Sequence, residues 1–293
     1  MSTANNYSSL PIATPLRKIL EKGFEEDFGF GDITSYSVLP AANTGGDFIA
    51  KAEGVVSGID SIPLGYRLLD SAVEVALHVK DGDRVEKGDR LAEVEGSVQS
   101  LLTGERVILN ILQHMSGIAT KTAAMVKKLE GSGTRLCDTR KTLPGLRALQ
   151  KYAVRCGGGY NHRMRLDDGV MIKDNHITAA GSITKAVELA RQQIGLMVKV
   201  EVECETEAQV KEAVSAGVDI IMLDNQTPES AKKLCDMIPG HVTVELSGGI
   251  TAETIGTFKN CGAHYISTGS VTHSVIALDI SFVLSGTIKN IDG

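Results

Sequence analysis

Six short β-branched segments in the second half of the chain each run into a cluster of polar or charged residues. The clusters are Asp138-Thr139-Arg140-Lys141, Lys173-Asp174-Asn175, Glu201 with Glu203, Asp224-Asn225, Glu245 with Ser247-Gly248-Gly249, and Thr268-Gly269-Ser270. From Arg135 to Lys173 there are nine Lys or Arg and three Asp, a local charge of +6 in a chain of net charge −6, so the remainder carries −12. A basic island on an acidic chain suits a pocket for small polyanions better than a surface for nucleic acid. Lys173 is open to a second reading, as the Schiff-base nucleophile of an aldolase or decarboxylase. In MVKVEVE (197–203), Lys199, Glu201 and Glu203 share one face and Val198, Val200 and Val202 the other. Buried carboxylates are costly unless paired or liganded, so that charged face has work to do.

The elements that position these clusters follow from pattern. The segments 134–139, 169–175, 197–203, 218–225, 241–249 and 264–270 alternate with helical stretches such as ITKAVELARQQI and TEAQVKEAVSAG. That rhythm predicts parallel strands with crossover helices, in an open (β/α) barrel whose polar groups gather at the carboxyl ends of the strands. No G-x-G-x-x-G or Walker loop follows an early strand, which argues against dinucleotide and P-loop folds. Upstream, residues 15–29 read as an amphipathic helix, and 45–95 as alternating strands cut by Asp-Gly and Lys-Gly turns. The second half of that stretch is similar to a lipoyl carrier hairpin, but Lys80 and Lys87 sit in acidic turns, which makes it scaffold. A carrier remains the non-enzymatic alternative. A helix is expected from Thr103 to Lys128, broken near Ser116-Gly117.

Hydrophobic residues make up 42% and charged residues 23%, ordinary globular usage that argues against disorder. No apolar run reaches the ~18 residues needed to span a bilayer. The first residues, MSTANNYSSLPIATPL, lack the pattern of a signal peptide. Five scattered cysteines without a CxxC pair favour reduced thiols and a cytoplasmic setting.

The run CDTRKTLPGLRALQKYAVRCGGGYNHRMRLDDGVMIKDNHI resembles the quinolinate phosphoribosyltransferases, with their DTRKT-PG-R, KYAV, GGG-x-NHR and KDNH pattern. EDFGFGDITS, ERVILNILQHMSGIAT, KVEVE, IMLDN, ELSGGI and STG extend the resemblance over nearly the whole chain. It implies an N-terminal α/β sandwich domain over 1–116, completed by 274–293, and an open α/β barrel over 117–273. It also implies transfer of phosphoribose from phosphoribosyl pyrophosphate to quinolinate with loss of CO2, in a dimer or larger assembly with shared sites.

By the same resemblance, Arg140, Arg163 and Lys173, with His162, meet quinolinate, with Arg106 contributed by the partner subunit, and Thr139 is a further substrate-binding position. Lys141 meets pyrophosphate. Glu203 and Asp224 lie near ribose and Mg2+, with Glu201 a further candidate. Ser247-Gly248-Gly249 and Thr268-Gly269-Ser270 offer backbone N–H groups to the 5'-phosphate. His114 and His176 read as structural, and Asp174 and Asn175 as holding the loop after Lys173. A homologue associated with molybdenum uptake shares the fold, but a site with no two carboxylates to bind has no need of Arg140, Arg163 and Lys173 together.

Overall fold

The computed structural model describes residues 12–284 and 289–290. Residues 1–11, on which the signal-peptide argument mostly rests, lie outside them. In chain order the first elements are α1 (Ala13–Phe28), α2 (Ile33–Val38), β1 (Ala42–Ala50), β2 (Gly54–Val55) and α3 (Ser61–Leu69). Then come β3 (Glu74–Leu77), β4 (Arg84–Val85), β5 (Arg90–Ser97) and the long α4 (Val98–Lys128). The middle of the chain holds β6 (Arg135–Cys137), α5 (Arg147–Cys156), β7 (Val170–Ile172), α6 (Asp174–Ala180) and α7 (Ile183–Gln193). The rest comprises β8 (Val200–Cys204), α8 (Glu207–Ser215), β9 (Ile220–Asp224), α9 (Pro228–Cys235), β10 (Thr243–Ser247), β11 (Tyr265–Ser267), α10 (Ser270–His273), β12 (Ile280–Leu284) and β13 (Lys289–Asn290).

These form two compact units, one of Met1–Ala123, Leu143–Gly158 and Ser274–Gly293, the other of Ala124–Thr142 and Gly159–His273. In the first, an antiparallel sheet runs in the order β12-β1-β5-β3, with β13 also on β1. The returning C-terminal strand is therefore integral to it. Phe48 on β1 stands opposite Phe282 on β12, their rings 5.1 Å apart, and meets Tyr66 of α3 edge-on. Leu16, Leu20 and Phe24, the apolar stripe of α1, are buried. Asp32 caps α2 by accepting the Ser35 N–H.

The expected break in the long helix does not occur: α4 runs unbroken through Ser116-Gly117. The glycine serves close approach instead, because a Cβ there would stand 2.3 Å from the Ile276 carbonyl oxygen. Nearby, the Leu278 N–H bonds to the Gln113 carbonyl and the Gln113 amide to that of Ile280. The C-terminal return is thus strapped along α4, and only a residue without a side chain lets it pass.

The second unit holds six parallel strands in the order β6-β11-β10-β9-β8-β7. The strands β6 and β7 are the two edges, so the barrel is open, although one bridge, Cys137 with Tyr160, covers the outer edge of β6. Three of the connecting helices carry side-chain caps, Ser182 on α7, Thr206 on α8 and Thr227 on α9. Along β8, Val200, Val202 and Cys204 are fully buried, as the parity of the sequence predicts, which turns Glu201 and Glu203 to the barrel side. Among the described residues no helix is long and apolar enough to cross a membrane. Among the described residues none of the five cysteines is in a disulfide.

Candidate active site

At the carboxyl ends of the parallel strands lies a cleft of ≈ 550 Å³, its walls carrying Arg140, Lys141, Arg163, Lys173, Asp224 and Ser247. Thr139, His162, Gly248 and Gly249 complete the sequence-predicted lining, together with Met171, Met222, Asn225 and Ser267. The strand register explains the assembly. Ser247 on β10 pairs with Asp224 on β9 at one rim, and Glu203 on β8, level with Met222, stands outside the lining and meets the cleft through its partner Lys173.

Its electrostatics are divided. On one side, Arg140 Nε and Arg163 Nε are buried without a hydrogen-bond partner. Burial and the charge of Arg140 together lower the pKa of Arg163. Two guanidinium groups held close with unspent donors are a strong demand for an anion. The Arg163 Nη1 is tied back to the Gly169 carbonyl at 2.8 Å. On the other side stand the acids. Lys173 Nζ is paired with Glu203, and Asp224 accepts from Asn225 Nδ2 at 2.7 Å. Burial and the charge of Glu203 raise the pKa of Asp224, and Lys173 and Lys141 pull it back.

Two models settle the kinship: the quinolinate phosphoribosyl transferase C-terminal domain matches residues 118–283, and the corresponding N-terminal domain matches 32–116. The chain belongs to the quinolinate phosphoribosyltransferase family. It is 51% identical, over 91% of its length and 92% of the relative's, to a probable nicotinate-nucleotide pyrophosphorylase (carboxylating) of Bacillus subtilis. The Mycobacterium leprae nicotinate-nucleotide pyrophosphorylase (carboxylating) is 38% identical, covering 92% of this chain and 96% of its own. The crystal structure of NadC from Streptococcus pyogenes superposes with a TM-score of 0.90 at 42% identity, covering 94% and 98% of the two chains.

Not every residue singled out in this quinolinate phosphoribosyltransferase chain lines the cleft. Thr268-Gly269-Ser270 sits behind it. The Thr268 hydroxyl donates to the Ile250 carbonyl at 2.8 Å and the Ser270 N–H caps back onto it. A Cβ at Gly269 would stand 2.8 Å from Lys141 Cδ, and Thr272 Oγ1 donates to the Lys141 carbonyl. That turn therefore seats Lys141. Arg106 is exposed on α4 in the first unit, its guanidinium 4.0 Å from Glu105. His114 bonds to Gln150, and His176 accepts the Lys173 N–H; both are structural partners.

Glu201 departs from its expected place. It lies near the start of β8, deep in the barrel, where His162 Nε2 meets Glu201 at 3.2 Å and Glu245 at 3.4 Å. Burial opposes charge on the ring, and the two acids outweigh it and raise the His162 pKa to about 10. The Arg163 N–H points at Nδ1 from 2.7 Å, which requires that nitrogen bare. Burial raises the pKa of Glu201, and its hydrogen bond to His162 pulls it back.

Two further residues were missed as participants. Asp138, fully buried, accepts from the His162 N–H at 2.9 Å and Asn161 Nδ2 at 2.6 Å. Asn225 has φ +53°, rare for a residue with a side chain. A Cβ at Gly248 would stand 2.3 Å from Asn225 Oδ1. The Asp-Asn pair at a strand end was the available signal, since Asn tolerates that conformation best.

Proposed function

We propose that this cleft is where the chain joins quinolinate to phosphoribosyl pyrophosphate, releasing pyrophosphate and CO2 and leaving nicotinate mononucleotide. The observation that carries the reading is the pair of unspent guanidinium donors on Arg140 and Arg163, with Lys173 across the same cleft. Quinolinate brings two adjacent carboxylates, which is what such a trio can hold. His162 and Thr139 complete that end, with Arg106 of the partner subunit as an added guanidinium. Lys141 takes the pyrophosphate, and the turn Ser247-Gly248-Gly249 takes the 5'-phosphate through backbone N–H groups. Thr268-Gly269-Ser270 acts behind Lys141.

In the reaction, the quinolinate ring nitrogen bonds to the anomeric carbon as the bond to pyrophosphate breaks, its electron pair leaving with the pyrophosphate. The ribose passes through an oxocarbenium-like state, which the carboxylates of Glu203 and Asp224 stabilise. The alkylated ring nitrogen then draws the electron pair of the adjacent C–CO2 bond. CO2 departs, and the carbon takes a proton from solvent. Glu203 and Asp224, oxygen donors on neighbouring strands β8 and β9, fit a hard cation and would hold Mg2+. When bound, it supplies positive charge to the departing pyrophosphate. The smallest working unit is a dimer, and five cysteines outside any disulfide fit a reducing cytoplasm.

Incubating the pure protein with both substrates and Mg2+, with mass analysis of the product, tests the reading. Nicotinate mononucleotide is expected. Nicotinate in place of quinolinate should react at least about a hundredfold less well in kcat/KM, because one carboxylate leaves a cation unpaired. Comparable turnover of the two would refute the two-carboxylate site.

Lys173→Ala should weaken quinolinate binding about a hundredfold while phosphoribosyl pyrophosphate still binds. Titration calorimetry with each substrate reads both. The pairing of Lys173 with Glu203 supports its reading as a charge partner rather than a nucleophile. A borohydride-trapped adduct at Lys173 would instead promote the Schiff-base reading.

A further inference from the structure

A second cavity, of ≈ 470 Å³, opens at the amino ends of the same strands, beside Ile220, Thr243 and Tyr265. His162 and Arg163 line both this cavity and the cleft above, so their side chains form the partition between them. Glu201 and Glu245 hold that partition from within the barrel. They are 4% and 5% exposed, and each has one oxygen on His162 Nε2 and the other, Oε1, buried without a partner.

Two like charges facing one imidazole are a poor device for stability, since each leaves an oxygen unsatisfied. Nor does the trio suit a metal ion. Nδ1 accepts the Arg163 N–H at 2.7 Å, so Nε2 carries the ring proton and has no lone pair to give. What the arrangement does enforce is a tautomer. With Nε2–H aimed at two carboxylates and Nδ1 on the Arg163 N–H, the ring fixes the peptide from which the Arg163 side chain departs. Asp138 grips the same segment from the other side through the His162 N–H.

We propose that Glu201 and Glu245 are positioning residues for quinolinate recognition, acting through His162 to set its tautomer and to place Arg163 at the top of the partition. The proposal rests on the reading that His162 and Arg163 meet quinolinate. Glu201 is thereby removed from the ribose and metal end of the site, and Glu245 acquires a role in substrate choice.

The test uses the near-isosteric E201Q and E245Q variants and their double, with each substrate varied separately at saturating levels of the other. Each amide carries no charge and sets a donor beside Nε2 as readily as an acceptor, so the ring is no longer held in one tautomer, and its Nδ1–H form sets a proton against the Arg163 N–H. The double variant should raise the quinolinate KM about tenfold or more, leaving that for phosphoribosyl pyrophosphate within about twofold. In an H162N background the same two changes should add almost nothing. If the double variant does not fold, each single variant is read by the same two criteria. An unchanged quinolinate KM, a parallel rise in both KM values, or full additivity with H162N would each overturn the proposal. A wild-type enzyme that ignores quinolinate overturns the parent reading instead, and the two failures are told apart by that control.

Discussion

Alanine at Glu203 and Asp224 together is expected to lower kcat by roughly a thousandfold or more while leaving the fold at least as stable as before. Both acids stand on neighbouring strands, Asp224 in the wall of the cleft and Glu203 beside Lys173, and neither belongs to the packed core. Asp224 has its pKa raised by burial and by the charge of Glu203. A raised carboxyl pKa means that the fold disfavours the charged form, so the stability this group contributes is lost as pH rises through its folded pKa. At neutral pH its removal therefore relieves strain more than it breaks support. Lys173 loses its partner in the double variant, but its side chain is 44% exposed and water takes over. An enzyme keeps two mutually repelling acids on neighbouring strands because the reaction uses their charge where the ribose becomes cationic. Steady-state kcat under saturating substrates and a thermal melt read the two effects separately. Near-full kcat in the folded double variant would remove the oxocarbenium role.

The sequence carried the barrel because each strand runs into polar residues and helical stretches alternate with the strands. It carried less about depth. MVKVEVE reads as one strand ending at Glu203, so Glu201 and Glu203 look equivalent, both inward and both near the rim. The strand in fact begins at Val200. Glu201 therefore stands at its lower end, one pleat below Glu203, and meets His162 and Glu245. Parity reveals the face of a strand, but only the register with neighbouring strands reveals the level.

Small-residue turns were ambiguous for a related reason. Ser247-Gly248-Gly249 and Thr268-Gly269-Ser270 look alike as strings. The first lines the cleft, and the second packs against Lys141. Gly117 looked like a helix break because glycine costs about 1 kcal/mol in a helix interior. Its reason is a backbone contact with Ile276, far away in sequence. Asp138 likewise acts on residues 161 and 162, a contact that no local pattern announces.

Arg106 lies far in sequence from every cleft residue and is exposed on α4, so its place in the chemistry is a question about assembly. On the proposed reading, it enters the barrel of the neighbouring subunit and adds a guanidinium at the quinolinate end. The smallest active unit is then a two-fold dimer with two composite sites. Arg106→Ala and Lys141→Ala should each be nearly inactive alone, the first for want of a carboxylate partner and the second for want of a cation on the pyrophosphate. In a mixed dimer, one barrel has lost Lys141 and also receives the altered Arg106. The other keeps Lys141 and receives an intact Arg106. Random remixing of equal amounts makes half the dimers mixed, each with one good site in two, so about a quarter of wild-type activity should return. Were Arg106 to serve its own barrel, every site in the mixture would carry one defect and no activity would return. Co-refolding the two inactive variants, with subunit exchange checked by native mass, decides between these outcomes. Silence after demonstrated exchange would sink the shared site.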